Sequence, residues 1–137
     1  MARDDEVRVL LIEDDEATAD MYRLRLTTDG YEVLTASDGE EGLRRAAEDH
    51  PDLIYLDLRL PKLDGFEVLE RLRADPRTET IPVVILSNYS EPDLRERGLR
   101  LGALEFLVKS DTTPAALSDS AGRISEPHAL AVDERLD

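Results

Sequence analysis

The chain alternates between short apolar runs and longer, mostly polar segments. Five apolar runs have the length of strands, and the segments between them carry apolar residues at helical spacing. Turn and stop signals such as Asp29-Gly30 and Asp75-Pro76 separate the two kinds of segment. The pattern predicts strands at residues 7–12, 31–36, 52–56, 82–87 and 105–108, and helices at residues 16–28, 39–49, 65–74 and 92–101.

The apolar runs are nearly continuous, which is typical of strands that are buried on both faces. Strands of this kind that alternate with helices form a parallel sheet covered by helices on both sides. We therefore predict an α/β fold, a doubly wound sandwich of repeated β-α units.

A fifth helix after residue 110 has weaker signals. Thr113 is the predicted cap, Pro114 the first helical residue, and one apolar face is formed by Leu117, Ala121 and Ile124. Gly122 and several serines and aspartates lower its helix propensity. We predict one folded domain over residues 1–124, and a polar C-terminal tail over residues 125–137 with no output domain.

The composition excludes several classes of protein. The chain carries 32 acidic and 17 basic residues, a net charge of -15 that disfavours direct binding to nucleic acid or to an anionic membrane. The absence of cysteine excludes disulfides and thiolate metal sites. The N-terminus lacks the apolar core of a signal peptide, and no apolar run approaches the ~18 residues of a membrane span. These features predict a cytoplasmic protein.

Side chains that can bind ions or take part in reactions follow four of the predicted strands. Acids at positions 13–15 follow the first strand, Asp57 the third, Ser87 ends the fourth and Lys109 follows the fifth. In a doubly wound sheet these strand ends meet at one edge, where ligands bind. Carboxylates held together repel one another unless a cation compensates, and Mg²⁺ suits an oxygen donor set. Lys109 offers a positive charge for a phosphoryl group, and Asp57 is a candidate nucleophile toward phosphorus.

Four segments in order carry a resemblance to a known family: "LLIEDDE", "LIYLDLRLPKLDGFEVLERLR", "IPVVILSN" and "LGALEFLVKS". With these segments the chain resembles the receiver domain of two-component response regulators over residues 7–124, in the stand-alone, single-domain form. The resemblance implies a flavodoxin-like fold with a five-stranded parallel sheet in the order 2-1-3-4-5. It also implies a phosphorylation-dependent signalling switch.

Carried onto this sequence, the resemblance makes Asp57 the phosphoacceptor. Ser87 would hydrogen-bond the phosphoryl oxygens and Lys109 would pair with them. Phe106 occupies the position of an aromatic switch, which turns inward when the strand-four hydroxyl moves toward the phosphoryl group.

The same resemblance implies a Mg²⁺ site. Asp14 and Asp57 would be direct ligands, and Glu13 would act mainly through water. The backbone carbonyl of Arg59 is a further implied ligand. Three acids follow the first strand, and Asp15 is the less favoured ligand among them, since carboxylates also favour the start of a helix.

Partners and kinetics follow from the resemblance as well. It implies a sensor histidine kinase or phosphotransfer protein as phosphodonor, a possible homodimer through helix four, strand five and helix five, and no turnover beyond self-phosphorylation and slow self-dephosphorylation. Arg59, Asn88 and Tyr89 occupy variable positions that tune the phosphate lifetime in the family. Ser110 stands where the family usually carries a proline after a cis bond, so the geometry of the Lys109-Ser110 bond stays open.

Two other functions compete with the switch. A metal-dependent phosphohydrolase with an aspartyl nucleophile needs a second acid two residues on as general acid, but Leu58 and Arg59 follow Asp57. A flavin-binding electron carrier needs hydroxyls and glycines in its first loop to hold a phosphate, and "EDDEAT" would repel one. Both alternatives are disfavoured by these residues.

Overall fold

The computed structural model describes residues 6–89 and 91–125. Strands and helices alternate along this part of the chain, with a short 3-10 turn at Lys109–Asp111 before the last helix. The strands are β1 (Arg8–Ile12), β2 (Glu32–Ala36), β3 (Leu53–Leu56), β4 (Val83–Ser87) and β5 (Glu105–Val108). The helices are α1 (Glu16–Thr28), α2 (Gly39–Asp49), α3 (Gly65–Ala74), α4 (Pro92–Arg100) and α5 (Pro114–Ser125).

The five strands form one parallel sheet in the order β2-β1-β3-β4-β5. The predicted fold class, strand order and alternation are therefore confirmed. Because the order reverses between β1 and β3, the loops that follow these two strands diverge and leave room for a site at the carboxyl edge.

Short polar side chains fix the beginning of three helices. The carboxylates of Asp15, Asp38 and Asp64 accept hydrogen bonds from the backbone N–H three residues on, at 2.9, 2.8 and 3.0 Å. Each bond satisfies a donor that the first helical turn leaves free. Helix α4 lacks such a side-chain bond at Glu91 and begins instead with Pro92.

The sheet has an apolar core on each face. One core lies between the sheet and helices α2, α3 and α4, and the other lies between the sheet and helices α1 and α5. The largest side chains with almost no exposure include Leu10, Ile12, Leu56 and Ile85 in the first core, and Tyr22, Leu26, Tyr55 and Leu117 in the second.

Helix α5 forms despite its weak local propensity because tertiary contacts support it. The predicted apolar face is buried, with Leu117 fully inaccessible. Two of the serines that lower helix propensity are bonded to other elements of the fold: Ser118 donates to Asp29 at the end of α1, and the hydroxyls of Ser120 and Tyr55 lie 2.5 Å apart. The predicted Thr113 cap is confirmed by a 3.0 Å bond from the N–H of Ala116.

The observed boundaries differ little from the predicted ones. Four strands begin one residue later than predicted, α4 ends at Arg100, and α5 continues through Ser125. Every peptide bond among the described residues is trans, that between Lys109 and Ser110 included. The predicted tail lies, apart from Ser125, outside the described residues. Within residues 6–89 and 91–125 no helix has the length and apolarity needed to cross a membrane.

Candidate functional site

The candidate residues lie at the carboxyl edge of the sheet because their strands end level with one another. Ile12 pairs with Leu56 across β1 and β3, so the residues that follow them are neighbours. On the other side, Ser87 pairs with Val108 across β4 and β5, which places Lys109 one residue beyond that pair. The topology thus brings the ends of four strands to one place.

Three carboxylates form a cluster at this edge. One carboxylate oxygen from each of Glu13, Asp14 and Asp57 lies within 4.8 Å of the others. Glu13 and Asp57 are only 7% and 6% exposed, whereas Asp14 faces solvent. The Lys109 ammonium lies 2.6 Å from Oε1 of Glu13 and 3.2 Å from Oδ2 of Asp57. One ammonium is therefore shared by two buried carboxylates.

The presence of one ammonium for two buried carboxylates affects the pKa shifts in the site. Burial raises the pKa of Glu13, and the nearby charge of Asp57 adds to that effect, while the hydrogen bond with Lys109 opposes it. Burial acts to lower the pKa of Lys109, but the hydrogen bond to Glu13 and the charge of Asp57 outweigh it and raise that pKa. Lys109 carries its charge at neutral pH and balances one of the two buried carboxylates that contact it, and the carboxylate of Asp14 adds further negative charge to the cluster.

The donor set fits a hard divalent cation. Magnesium prefers oxygen ligands, binds through one or two carboxylates and keeps several waters. Asp14 has the exposure that a ligand at the mouth of a site needs, and one of its carboxylate oxygens lies within 4.8 Å of one from the buried Asp57. Glu13, Asp14 and Asp57 together form an acidic pocket of the kind that can hold this ion.

Asp15 has a different role from its neighbours. Its Oδ2 atom accepts hydrogen bonds from both the backbone N–H and the hydroxyl of Thr18, at 2.9 and 2.5 Å, as the cap of α1. These bonds lower the pKa of Asp15. The cluster of Glu13, Asp14 and Asp57 does not include it. The geometry favours the helix-start interpretation of Asp15 over its use as a metal ligand.

Backbone N–H groups hold two side chains of the site: Asp57, the predicted phosphoacceptor, and Ser87, the predicted hydrogen-bond partner of the phosphoryl oxygens. The N–H of Arg59 lies 3.3 Å from Oδ1 of Asp57, and the N–H of Tyr89 donates to the hydroxyl of Ser87 at 3.0 Å. Ser87 is completely buried. These bonds orient both side chains at adjacent strand ends, β3 and β4.

Gly65 is a requirement of the site that the sequence argument did not identify. Its N–H donates to the carbonyl of Leu58 at 2.9 Å, and a Cβ atom there would lie 2.7 Å from the Leu58 Cα and closer still to the Asp57 carbonyl. The Asp-Gly pair at the start of α3 was the available signal. A glycine lets the helix pack directly on the backbone of Asp57.

Phe106 is 3% exposed and belongs to the core under α4. It pairs with Ile85 across β4 and β5, and a Cβ atom at Gly98 of α4 would lie 3.6 Å from its ring. The ring therefore lies inward in this structure, between the sheet and α4. Its part in switching stays a prediction.

Fold and site together define a flavodoxin-like α/β module with an acidic site at the carboxyl edge of its sheet. A family model described as the response regulator receiver domain matches residues 9–119. The chain belongs to this family. It is a receiver domain, a phosphorylation-dependent signalling switch.

Relatives of known name agree with this assignment. The chain is 43% identical over 102 residues to the response regulator PleD of Caulobacter vibrioides, which covers 74% of the chain and 22% of PleD. It is 44% identical over 102 residues to the DNA-binding dual master transcriptional regulator RpaA of Synechocystis sp., which covers 74% of the chain and 42% of RpaA. The chain thus spans less than half the length of these relatives.

Solved structures give the same fold. The chemotaxis protein CheY4 of Vibrio cholerae superposes with a TM-score of 0.81 and 30% identity, over 87% of this chain and 98% of CheY4. A putative response regulator from Chloroflexus aurantiacus gives a TM-score of 0.81 and 32% identity, over 88% of this chain and 98% of that structure. These similarities extend over nearly the whole of both comparison structures.

Proposed function

We propose that Asp57 accepts a phosphoryl group from a histidine kinase or phosphotransfer protein, and that the phosphorylated chain signals through protein contacts. The observation that carries the proposal is the shared Lys109 ammonium, 2.6 Å from Glu13 and 3.2 Å from Asp57. The buried Asp57 carboxylate is thereby held beside a fixed cation that can pair with the oxygens of an incoming, negatively charged phosphoryl group.

In the transfer step an Asp57 carboxylate oxygen forms a bond to phosphorus as the bond between phosphorus and the donor's imidazole nitrogen breaks. The electron pair of the broken bond stays on the imidazole. Lys109, already near Oδ2 of Asp57, pairs with the phosphoryl oxygens, and the hydroxyl of Ser87 donates to one of them.

Asp14, Asp57, the backbone carbonyl of Arg59 and, through water, Glu13 would hold Mg²⁺. When bound, the ion neutralises the carboxylates and the phosphoryl oxygens and so lowers the barrier to bringing these anions together. The protein's own contribution is orientation: the N–H of Arg59 directs Oδ1 of Asp57, and the α1 cap at Asp15 leaves Asp14 at the mouth of the cluster.

The signal would pass from Ser87 toward the surface formed by α4, β5 and α5. Movement of the Ser87 hydroxyl changes the packing around Phe106, which lies under Gly98 of α4. Leu99 of α4 and Leu104, just before β5, are 42% and 53% exposed. This surface would then make the protein contacts, a homodimer included.

Incubation with acetyl phosphate and Mg²⁺, followed by intact-mass measurement, tests the proposal. Wild type should gain the mass of one phosphoryl group, and both Asp57→Asn and wild type in EDTA should gain none. Equal gain in the Asn variant would exclude Asp57 as acceptor.

The same incubation separates the switch from a phosphohydrolase. A switch retains the group on the protein with slow self-dephosphorylation, whereas a phosphohydrolase would release inorganic phosphate continuously over many turnovers. A phosphate assay run beside the mass measurement distinguishes the two.

A further inference from the structure

A recess of about 420 Å³ lies between helices α2 and α3 and the loop that leads from α3 to β4. The lining of this arginine recess includes Arg44 of α2, Arg71 of α3 and Arg77 of the loop. The chain carries 32 acidic residues against 17 basic ones. Three guanidinium groups from three separate elements around one recess are therefore a local exception in an acidic protein.

Two carboxylates also line the arginine recess, and both are already paired. Asp75 accepts hydrogen bonds from Nε and Nη2 of Arg77, at 3.1 and 2.8 Å, and Glu48 accepts one of 3.4 Å from Arg44. The hydrogen bond and the charge of Asp75 raise the pKa of Arg77, and the charge of Glu48 adds to this effect. Glu48 is thus near two of the three guanidinium groups. The lining has an excess of one positive charge.

The three arginines keep most of their hydrogen-bonding capacity for a further anion. Each guanidinium has five N–H donors. Arg44 and Arg71 each donate one of them to a glutamate on their own helix, and Arg77 donates two to Asp75. All three side chains are more than half exposed, and ion pairs between exposed side chains contribute little to stability. An anion with two charges can therefore replace these pairs at small cost.

The loop that carries Arg77 is held in a fixed turn. Thr78 is only 2% exposed; its hydroxyl donates to the carbonyl of Leu72 at 2.7 Å and its N–H to that of Asp75 at 2.9 Å. The N–H of Arg77 donates to Oδ1 of Asp75 at 2.9 Å. Because the turn fixes the backbone and Asp75 orients the guanidinium, this part of the recess is formed before any ligand binds.

One wall of the arginine recess is apolar. Ala47 and Leu43 line it from α2; Ala47 is buried and Leu43 packs against the core. Small-molecule sites combine apolar walls with a few charged groups in volumes of roughly 300–1,000 Å³, and the recess falls in this range. Arginine matches the paired oxygens of phosphate with two parallel N–H bonds. A phosphate dianion offers enough oxygens and charge to engage more than one of the three guanidinium groups.

We propose that the arginine recess binds a small phosphate monoester. Its phosphate would pair with the three arginines, and its apolar part would rest on Leu43 and Ala47. Helices that follow parallel strands run back from the carboxyl edge of the sheet, so the second halves of α2 and α3 lie away from Asp57. The proposed binding is therefore separate from the phosphoacceptor site and does not rest on the proposed function.

Amide NMR of the full chain, titrated in EDTA at constant ionic strength, tests the proposal with three probes. Phenyl phosphate should bind with a Kd of about 1 mM or below and shift the amides around Ala47 and Thr78. Inorganic phosphate should shift the same amides but bind about threefold more weakly, because it lacks the ring that rests on the apolar wall. Phenol, which lacks the phosphate, should cause no shifts there.

Replacing each of the three arginines with alanine should weaken phenyl phosphate binding about five- to tenfold, since each change removes one charged donor. Arg23→Ala is the matched control, because Arg23 is an exposed arginine on α1 that is likewise paired with an acid on its own helix. It should leave the affinity unchanged.

Glu48→Gln should have the opposite effect. It removes the carboxylate that competes with the ligand for Arg44 and leaves the arginines in place, so phenyl phosphate should bind about threefold more tightly. Glu96→Gln changes the net charge by the same amount at an exposed position on α4 and should leave the affinity unchanged.

Absence of binding by both phosphates would overturn the proposal, as would shifts confined to the amides around Asp57 and Lys109, which would place the anion at the phosphoacceptor site. Equal weakening by Arg23→Ala, or equal tightening by Glu96→Gln, would also overturn it, because either result would reflect overall charge. Equal affinities for phenyl phosphate and inorganic phosphate would exclude a monoester as the specific ligand. These outcomes leave the phosphorylation of Asp57 unaffected.

Discussion

Replacing the buried Asp57 with asparagine should stabilise the protein in the absence of Mg²⁺. Asn keeps the size of the side chain and can still accept the hydrogen bond from the N–H of Arg59. It removes one of the two carboxylates that share the Lys109 ammonium. The remaining Glu13 and Lys109 then form a balanced pair.

The magnitude follows from the distances in the cluster. With an effective dielectric constant of about 20, losing the attraction between Asp57 and Lys109 at 3.2 Å costs about 5 kcal/mol. Losing the repulsions from Glu13 and Asp14, at up to 4.8 Å, returns about 3.5 kcal/mol each. Solvent screens the repulsion between Asp57 and the exposed Asp14, which reduces the gain in stability. Asn also avoids the cost of burying the charge of Asp57, which increases that gain. We expect a net gain of about 1 to 3 kcal/mol, or about 3 to 10 °C in Tm.

Urea and thermal unfolding in EDTA and in excess Mg²⁺ measure the effect. The Asn variant should be more stable than wild type in EDTA. At a Mg²⁺ concentration of about 100 times its Kd, wild type should gain about 2.7 kcal/mol and the variant less. Asp15→Asn is the matched control, since Asn also caps helices well and Asp15 lies outside the cluster. It should not be stabilised.

A variant Asp57→Asn that is no more stable than wild type in EDTA would refute this account of the electrostatics. So would an equal gain in Asp15→Asn, because that result would point to general charge repulsion in an acidic chain rather than to the cluster.

Three further predictions concern the parts of the fold that support the site. The hydrogen bond from Ser118 lowers the pKa of Asp29, so its stabilisation exists above the unfolded carboxyl pKa of about 3.9 and is lost as pH falls through the lower folded value. The stability deficit of Ser118→Ala in urea should therefore be larger at pH 7 than at pH 3, and a constant deficit would contradict this. Leu117→Ala should cost about 2 to 5 kcal/mol in urea unfolding because Leu117 is fully buried, and a loss well below that range would argue against a fixed α5. Gly65→Ala should lower both thermal stability and Mg²⁺ affinity, since its Cβ would lie 2.7 Å from the Leu58 Cα; unchanged affinity would show that the backbone of Asp57 tolerates the shift.

Much of the fold could be predicted from local signals. Asp15, Asp38 and Asp64 each act within three residues of their own position, and the helices that follow them begin as predicted. The strands began one residue later than predicted in four cases, although the carbonyls of Val7 and Pro82 still accept hydrogen bonds from the neighbouring strand, so the difference concerns only where a strand end is drawn. Helix α5 was underestimated, since its support comes from residues such as Asp29 and Tyr55 that are far away in sequence.

The parts of the site that follow from the strand order could be predicted from the sequence. Parallel strands place their carboxyl ends together, so the meeting of Asp57 with the acids after β1 followed from the sequence. The sequence already favoured Asp14 over Asp15 as the ligand, and the role of Asp15 as the cap of α1 agrees with that preference. The contact of Lys109 with Glu13 and the stack of Arg59 on Tyr89 depend on side-chain directions that spacing alone does not specify.

The central claim is that Asp57 carries the phosphoryl group. Borohydride reduces an aspartyl phosphate to homoserine, so peptide mapping of the phosphorylated and reduced protein identifies the modified residue directly. We expect homoserine at position 57 in the presence of acetyl phosphate and Mg²⁺, and none at that position in EDTA. Homoserine at position 14 or 15 instead, or its formation at several surface aspartates to equal extent, would contradict it.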